Sequence, residues 1–263
     1  EVGAAPPKFE PRGSWDWSSS PTDDERWPGV SVVMITRDRD DFLREALRSL
    51  ALQDYPRSRL EVLIADDSEV AAWDGDAWDE ELDVCVRRLR PSQIQRCRLG
   101  AKRNACVSRA RGEVIATWDD DDFFAPSRLR AQAAEIMRGS GAVFLEPDDM
   151  FYYDAARGAF RATEGSSFAQ PCSLAFERRA WARSRYPDDF DVGEDLEFLD
   201  ELFARGARVA TARCPFIRTR HATNVVRDAR GDGAERDVPA GVVAEAVGLP
   251  ASTLGFLEGL RGS

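Results

Sequence analysis

Three short apolar runs stand out along the chain: residues 30–35 (VSVVMI), 60–65 (LEVLIA) and 113–118 (EVIATW), each followed at once by polar residues. Runs this short and rich in β-branched side chains predict buried strands. After the first run the period changes. Phe42, Leu43, Ala46, Leu47, Leu50 and Ala51 share one helical face, with Asp40 or Asp41 as the cap. Residues 100–111 predict a second helix, residues 82–89 alternate as a strand, and Pro126 opens a helix carrying Leu129, Ala133, Ala134 and Met137. The acidic stretch 73–81 predicts a loop, and 141–145 a further strand.

Beyond residue 145 the pattern is less regular. Residues 151–153 and 158–163 predict a hairpin and 172–176 a strand. A helix over 194–204 is expected to turn Leu196, Leu199, Leu202 and Phe203 to the core, and short amphipathic helices are expected near the C-terminus. The alternation predicts an α/β domain, with a mostly parallel central sheet flanked by helices and a smaller mixed β region. Residues 1–28, broken by prolines and serines and carrying Trp15, Trp17 and Trp27, read as an arm packed on the body. Residues 29–224 form the expected domain, and residues 225–263 a helical extension.

Composition narrows the classes. With 36 Lys+Arg against 47 Asp+Glu the formal net charge is −11, which argues against a nucleic-acid partner. No apolar run approaches the roughly 20 residues of a transmembrane helix. Five cysteines without a Cys-x-x-Cys pair favour neither a zinc site nor a disulfide framework, and point to a reducing, cytoplasmic compartment. The chain opens at Glu1 with no charged-then-apolar leader, so an excised segment lacking its original address is one expectation.

Where the acidity sits is more telling than its amount. Asp66-Asp67 and the four residues from Asp119 to Asp122 each follow a predicted strand. In open α/β sheets ligands bind beyond the carboxyl ends of strands. Crowded carboxylates repel one another and become favourable around a divalent cation such as Mg²⁺ or Mn²⁺, which commonly bridges to substrate phosphates.

Residues 29–39 (GVSVVMITRDR) begin a series of motifs that continues through Gln53-Asp54-Tyr55-Pro56, 60–68 (LEVLIADDS), 100–104 (GAKRN), 110–113 (ARGE), the acid cluster with Pro126, and Glu194-Asp195. Over about residues 29–224 this order resembles the inverting family-2 glycosyltransferases with the GT-A fold. The resemblance implies a single GT-A (Rossmann-like) domain, its nucleotide-binding half about 29–125 and its acceptor half about 126–224. It also implies a nucleotide-sugar donor, UDP-linked for preference, and a carbohydrate or other hydroxyl acceptor.

By the same resemblance Asp67 receives the base N–H, and Asp119-x-Asp121 is a DxD motif. Asp121 is then the direct metal ligand, with Asp119 and Asp120 near the ribose and the metal's hydration shell. His221 would complete the metal shell and favour Mn²⁺ over Mg²⁺. Thr36 and Arg37 pass under the nucleotide, Arg37 standing where the family has an aromatic, and Arg103 leans on the nucleotide. Asp195 is the expected general base, with Glu194 touching the acceptor. Arg218 and Arg220 would cover the diphosphate, and Tyr152, Tyr153, Trp73 and Trp78 would line the acceptor side.

Two other classes use related features. A non-catalytic sugar-nucleotide or glycan-binding module would keep the donor-site acids without needing a base. A sugar-phosphate nucleotidyltransferase usually has a glycine-rich loop after the first strand, and residues 36–41 contain no glycine.

Overall fold

The structure, a computed structural model, describes residues 26–68, 75–79, 83–89, 94, 97–164, 170–222, 224 and 234–261. The first two apolar runs are β1 (Val30–Thr36) and β2 (Leu60–Asp66), paired in parallel and buried nearly throughout. Val30, Val32 and Met34 enter one core cluster and Val33 and Ile35 the other, as do Leu60, Val62, Ile64 and Leu63, Ala65 of β2. Both faces of the sheet are covered, which is why these strands read as continuous apolar runs rather than alternating ones.

Helix α1 (Asp40–Ala51) covers the first face. Its N-cap is Arg39, so Asp40 and Asp41 lie in the first turn, favoured there by the helix dipole rather than acting as caps. Strand β3 (Gly75–Asp79) runs antiparallel to β4 (Val84–Leu89), which pairs in parallel with β2. The predicted loop over 73–81 is therefore corrected. β3 is an edge strand held by backbone pairing on one side, and such a strand needs no apolar run. Helix α2 (Leu99–Val107) covers the second face and ends four residues before the predicted boundary, with Ser108 as its C-cap.

The third apolar run is β5 (Val114–Asp119), parallel to β1 on the side away from β2. After it come β6 (Phe123–Phe124), α3 (Arg128–Met137) on the α1 face, β7 (Ala142–Leu145), and the hairpin β8 (Met150–Asp154) and β9 (Ala159–Glu164). The predicted strand at 172–176 is a tight 3-10 turn at Pro171–Ser173 followed by β10 (Ala175–Glu177), which lies antiparallel between β5 and β7. The short helix α4 (Arg178–Trp181) leads to α5 (Glu194–Ala204), β11 (Val209–Ala212) and β12 (Phe216–Arg220). In α5 the core face is Phe198, Leu199 and Leu202, whereas Leu196 and Phe203 are exposed. At the helical period, Leu196 and Phe203 fall off the face that meets the second core cluster.

Two sheets result. The larger has the order β11-β7-β10-β5-β1-β2-β4-β3, and the smaller contains β9-β8-β12-β6 with an edge strand, β13 (Ala234–Val238), on β9. The expected C-terminal helices are α6 (Ala240–Val247) and α7 (Ala251–Gly259), to which the structure adds β13. Among the described residues no helix is long and apolar enough to cross a membrane. β1 leads outward to β2 and β4, while β5 lies on its other side. The carboxyl ends of β1 and β5 therefore flank a topological switch point, where such sheets bind ligands.

Candidate active site

The four aspartates occupy the crossing between the two sheets. Asp119 ends β5 in the larger sheet and Phe123 begins β6 in the smaller. A turn closed by Asp122 N–H to the Asp119 carbonyl (3.3 Å) brings the side chains of these two together. Asp119, Asp122 and Cys172 present ligand atoms within 4.8 Å of one another. Asp120 and Asp121 turn toward β1 and the helix after it. Thr36 donates to Asp120 Oδ2 (2.6 Å), and Arg39 Nη1 lies 3.0 Å from Asp120 Oδ1 and 3.2 Å from Asp121 Oδ2. His221 Nε2 and Asn224 Nδ2 also reach Asp121 Oδ2, each at 3.0 Å. The expected trio of Asp119, Asp121 and His221 is thus divided: Asp121 and His221 meet, and Asp119 groups with Asp122 instead.

Burial crowds these charges. It raises the pKa of Asp119, against Arg103 and with Asp121 adding to it. Asp120 is pushed up to about 7 by burial and then by Asp121. Asp122 is pushed well up by burial, with Arg218 Nε 3.8 Å from its Oδ2 and the Cys172 thiol beside it. β12 pairs with β6 so that Ile217 lies opposite Phe123, which carries Arg218 alongside Asp122. Buried carboxylates in this state fit a divalent cation, and oxygen donors suit Mg²⁺ or Mn²⁺. Burial and Asp122 push the Cys172 thiol up.

A stability effect with a definite sign follows. Asp120 binds a proton in the folded chain that the unfolded chain, with an ordinary carboxyl near 4, has released. The stability it contributes is complete at acid pH and is lost as pH rises from about 4 through about 7. Mn²⁺ is expected to raise the melting temperature at pH 8 by more than at pH 5, measured by thermal unfolding against a chelator control. Equal shifts, or none, would count against a cation at these aspartates.

Arg103 links the acid cluster to helix α5. Its Nε donates to Glu194 Oε1 at 2.9 Å and its Nη2 lies 3.8 Å from Asp119 Oδ1. Burial works against its charge, but Asp119 and Glu194 outweigh that and raise its pKa. Glu194 is buried and committed to this pair. Among the described residues Asp195 accepts only the Leu196 N–H (2.8 Å), and it stays partly open to a cavity of about 380 Å³. The same cavity is lined by Arg39, Arg103, Asp119, Asp120, Asp121, Arg218 and Asn224.

The loop before α5 is fastened to α2. Asn104 uses its whole amide: Nδ2 donates to the Tyr186 carbonyl (2.7 Å) and Asp188 (2.8 Å), and Oδ1 accepts from Trp181 Nε1 (2.8 Å) and the Tyr186 N–H (3.2 Å). Gly100 N–H donates to the Phe190 carbonyl (3.1 Å), and Asp191 pairs with Arg98. Gly193 (φ 82°) then turns the chain into α5, a left-handed conformation that glycine adopts without strain.

Other expected site residues are placed differently. Asp67 pairs with Lys102 at 2.7 Å, and its buried Oδ1 has no partner among the described residues. Asp66 is tied to Arg88 and Ser68 and shapes the loop. The Arg37 side chain is 63% exposed beside Asp38, and Arg39 takes the inward position instead. Asp38 (φ 52°), held by Ser68 Oγ at 2.6 Å, makes the turn between them. Tyr152 and Tyr153 are buried and do not line the cavity, and Arg220 lies over Tyr152 and pairs with Glu235. Trp73 and the Trp78 side chain lie outside the described residues.

Comparisons with known proteins bear on the family and the fold. The family model Glycosyl transferase family 2 matches residues 31–155. Over those residues the chain is similar to the family-2 glycosyltransferases. Poly(ribitol-phosphate) beta-N-acetylglucosaminyltransferase TarS of Staphylococcus aureus is 29% identical over 122 residues, covering 44% of this chain and 20% of TarS. This chain therefore spans about a fifth of that relative. Among solved structures, S. aureus TarS 1–349 in complex with UDP-GlcNAc has a TM-score of 0.56 at 17% identity, over 87% of this chain and 70% of that one. The mannosyltransferase PcManGT from Pyrobaculum calidifontis, in complex with GDP-Man and Mn²⁺, has a TM-score of 0.50 at 20% identity, over 80% and 62%. At these identities the likeness is one of fold, that of the GT-A glycosyltransferases.

Proposed function

We propose that the chain transfers a sugar, with inversion, from a nucleoside-diphosphate donor to an acceptor hydroxyl, UDP being the favoured nucleotide. The observation that carries this reading is Asp195, a carboxylate uncommitted to any other described side chain. It faces the cavity that also holds the acid cluster, with Arg103 between them. Asp67 Oδ1, buried and without a partner among the described residues, suits a base N–H, with Lys102 fixing the carboxylate's other oxygen. Arg103 and Arg218 offer charge to the diphosphate. Thr36 and Arg39 hold Asp120 in place.

In the reaction the acceptor oxygen attacks the anomeric carbon as the bond to the diphosphate breaks. The hydroxyl proton passes to the Asp195 carboxylate, and the nucleoside diphosphate leaves with the bonding pair. A divalent cation held among the aspartates from Asp119 to Asp122 would offset the charge developing on the leaving group. PcManGT, with its Mn²⁺, and TarS, with its UDP-GlcNAc, support the cation and the uridine nucleotide by analogy.

The test is a panel of sugar nucleotides with Mn²⁺, followed by nucleoside diphosphate release with and without chelator. Release from one donor, abolished by chelation, is the expected result. Absence of binding to every nucleotide would remove the reading.

A further inference from the structure

The chain leading into α5 leaves apolar surface uncovered beside Asp195. Val192 is 59% exposed, Leu196 45% and Phe190 38%, and these are three of the six exposed large hydrophobic side chains among the described residues. Val192 and Leu196 line the same cavity as Asp195, together with Leu99 and Ile35. The helix has another face for its core contacts, where Phe198, Leu199 and Leu202 are buried. Leu196 is thus an apolar residue kept at the cavity, one position from the proposed base.

The charges on the same stretch have one sign. Asp188, Asp189, Asp191, Glu194, Asp195 and Glu197 flank the two apolar residues along the chain, Asp191 paired with Arg98 and Glu194 with Arg103. Arg103 is committed to Glu194 and Asp119, and Arg218 donates to Gln170 Oε1 at 2.6 Å beside Asp122. An anionic group on the acceptor would meet this acidic rim unpaired. An uncharged apolar group would remove exposed hydrophobic surface from water.

We propose that the cavity mouth takes a neutral acceptor whose attacking hydroxyl lies close to an alkyl or aryl group, with Val192 and Leu196 as the residues that select it. This rests on the transferase reading above and names the substrate class of the same site. It also separates this chain from TarS, whose name gives an anionic poly(ribitol-phosphate) acceptor.

The test uses the active donor with methyl and octyl glycosides of a set of common sugars, the octyl forms below their micelle concentration, and with the corresponding sugar phosphates. The octyl glycoside is expected to show a KM about tenfold below that of its methyl partner, with the phosphates poorest. Val192→Ser and Leu196→Ser should each raise the octyl KM and close that gap. Equal KM values for methyl and octyl glycosides in the unsubstituted protein, or a preference for the phosphates, would overturn the proposal. Failure to release nucleoside diphosphate from any donor is a different result and would overturn the transferase reading, and this one with it.

Discussion

Replacing Asp195 with asparagine is expected to lower kcat by about 10³-fold while leaving nucleotide-sugar affinity nearly unchanged. The amide keeps the size of the carboxylate but accepts no proton from the acceptor hydroxyl. Asp195 bonds no other described side chain, only the Leu196 N–H, so the change should not disturb the packing around α5. Glu194 would be a poorer choice, because its loss would leave the buried Arg103 without its nearest partner. Transfer kinetics together with calorimetric titration of the donor separate the two effects. A non-catalytic binding module would show no change in either measurement, and full transfer activity in Asp195→Asn would remove this residue as the base.

The second large effect is expected at Gly100. A Cβ there would stand 1.8 Å from the Pro187 carbonyl oxygen and 3.5 Å from Glu194 Cβ. The oxygen belongs to the backbone of the tethered loop, so the contact is relieved only by moving that loop. Gly100→Ala should therefore destabilise the fold by about 1–3 kcal/mol, a cost typical of overpacking. It should also lower kcat/KM by about 10²-fold, the usual consequence of displacing a catalytic group by about 1 Å. Thermal unfolding and steady-state kinetics measure both. Normal values in both would show that the α2 tether does not position Asp195.

Much of the fold is legible in the sequence because burial on both faces leaves a plain signature. β1, β2 and β5 are continuous apolar runs, and polar residues mark where each reaches the binding edge. β3 leaves no such trace, since an edge strand of Gly75 to Asp79 is defined by its backbone partners in β4. At the site, the residue types in the acid cluster and at Glu194-Asp195 can be read directly, but their grouping cannot. The turn that pairs Asp119 with Asp122, and the left-handed Asp38 that sends Arg39 inward and Arg37 outward, are backbone events without a sequence mark. Asn104 and Asn224 escape for a related reason. Each acts through contacts with residues distant in sequence, although Asn104 lies within a motif that resembles the family's.

The crossing between the sheets takes only the residues from Asp120 to Asp122. One residue added or removed there would shift β6 by one position against β12. Phe123 and Phe124 would exchange faces, breaking the stacking of Phe124 on Phe216 and the edge contact with Trp118. The length of this segment is therefore constrained as well as its side chains. Insertions that diversify such a chain belong elsewhere, in the connections that run over the surface.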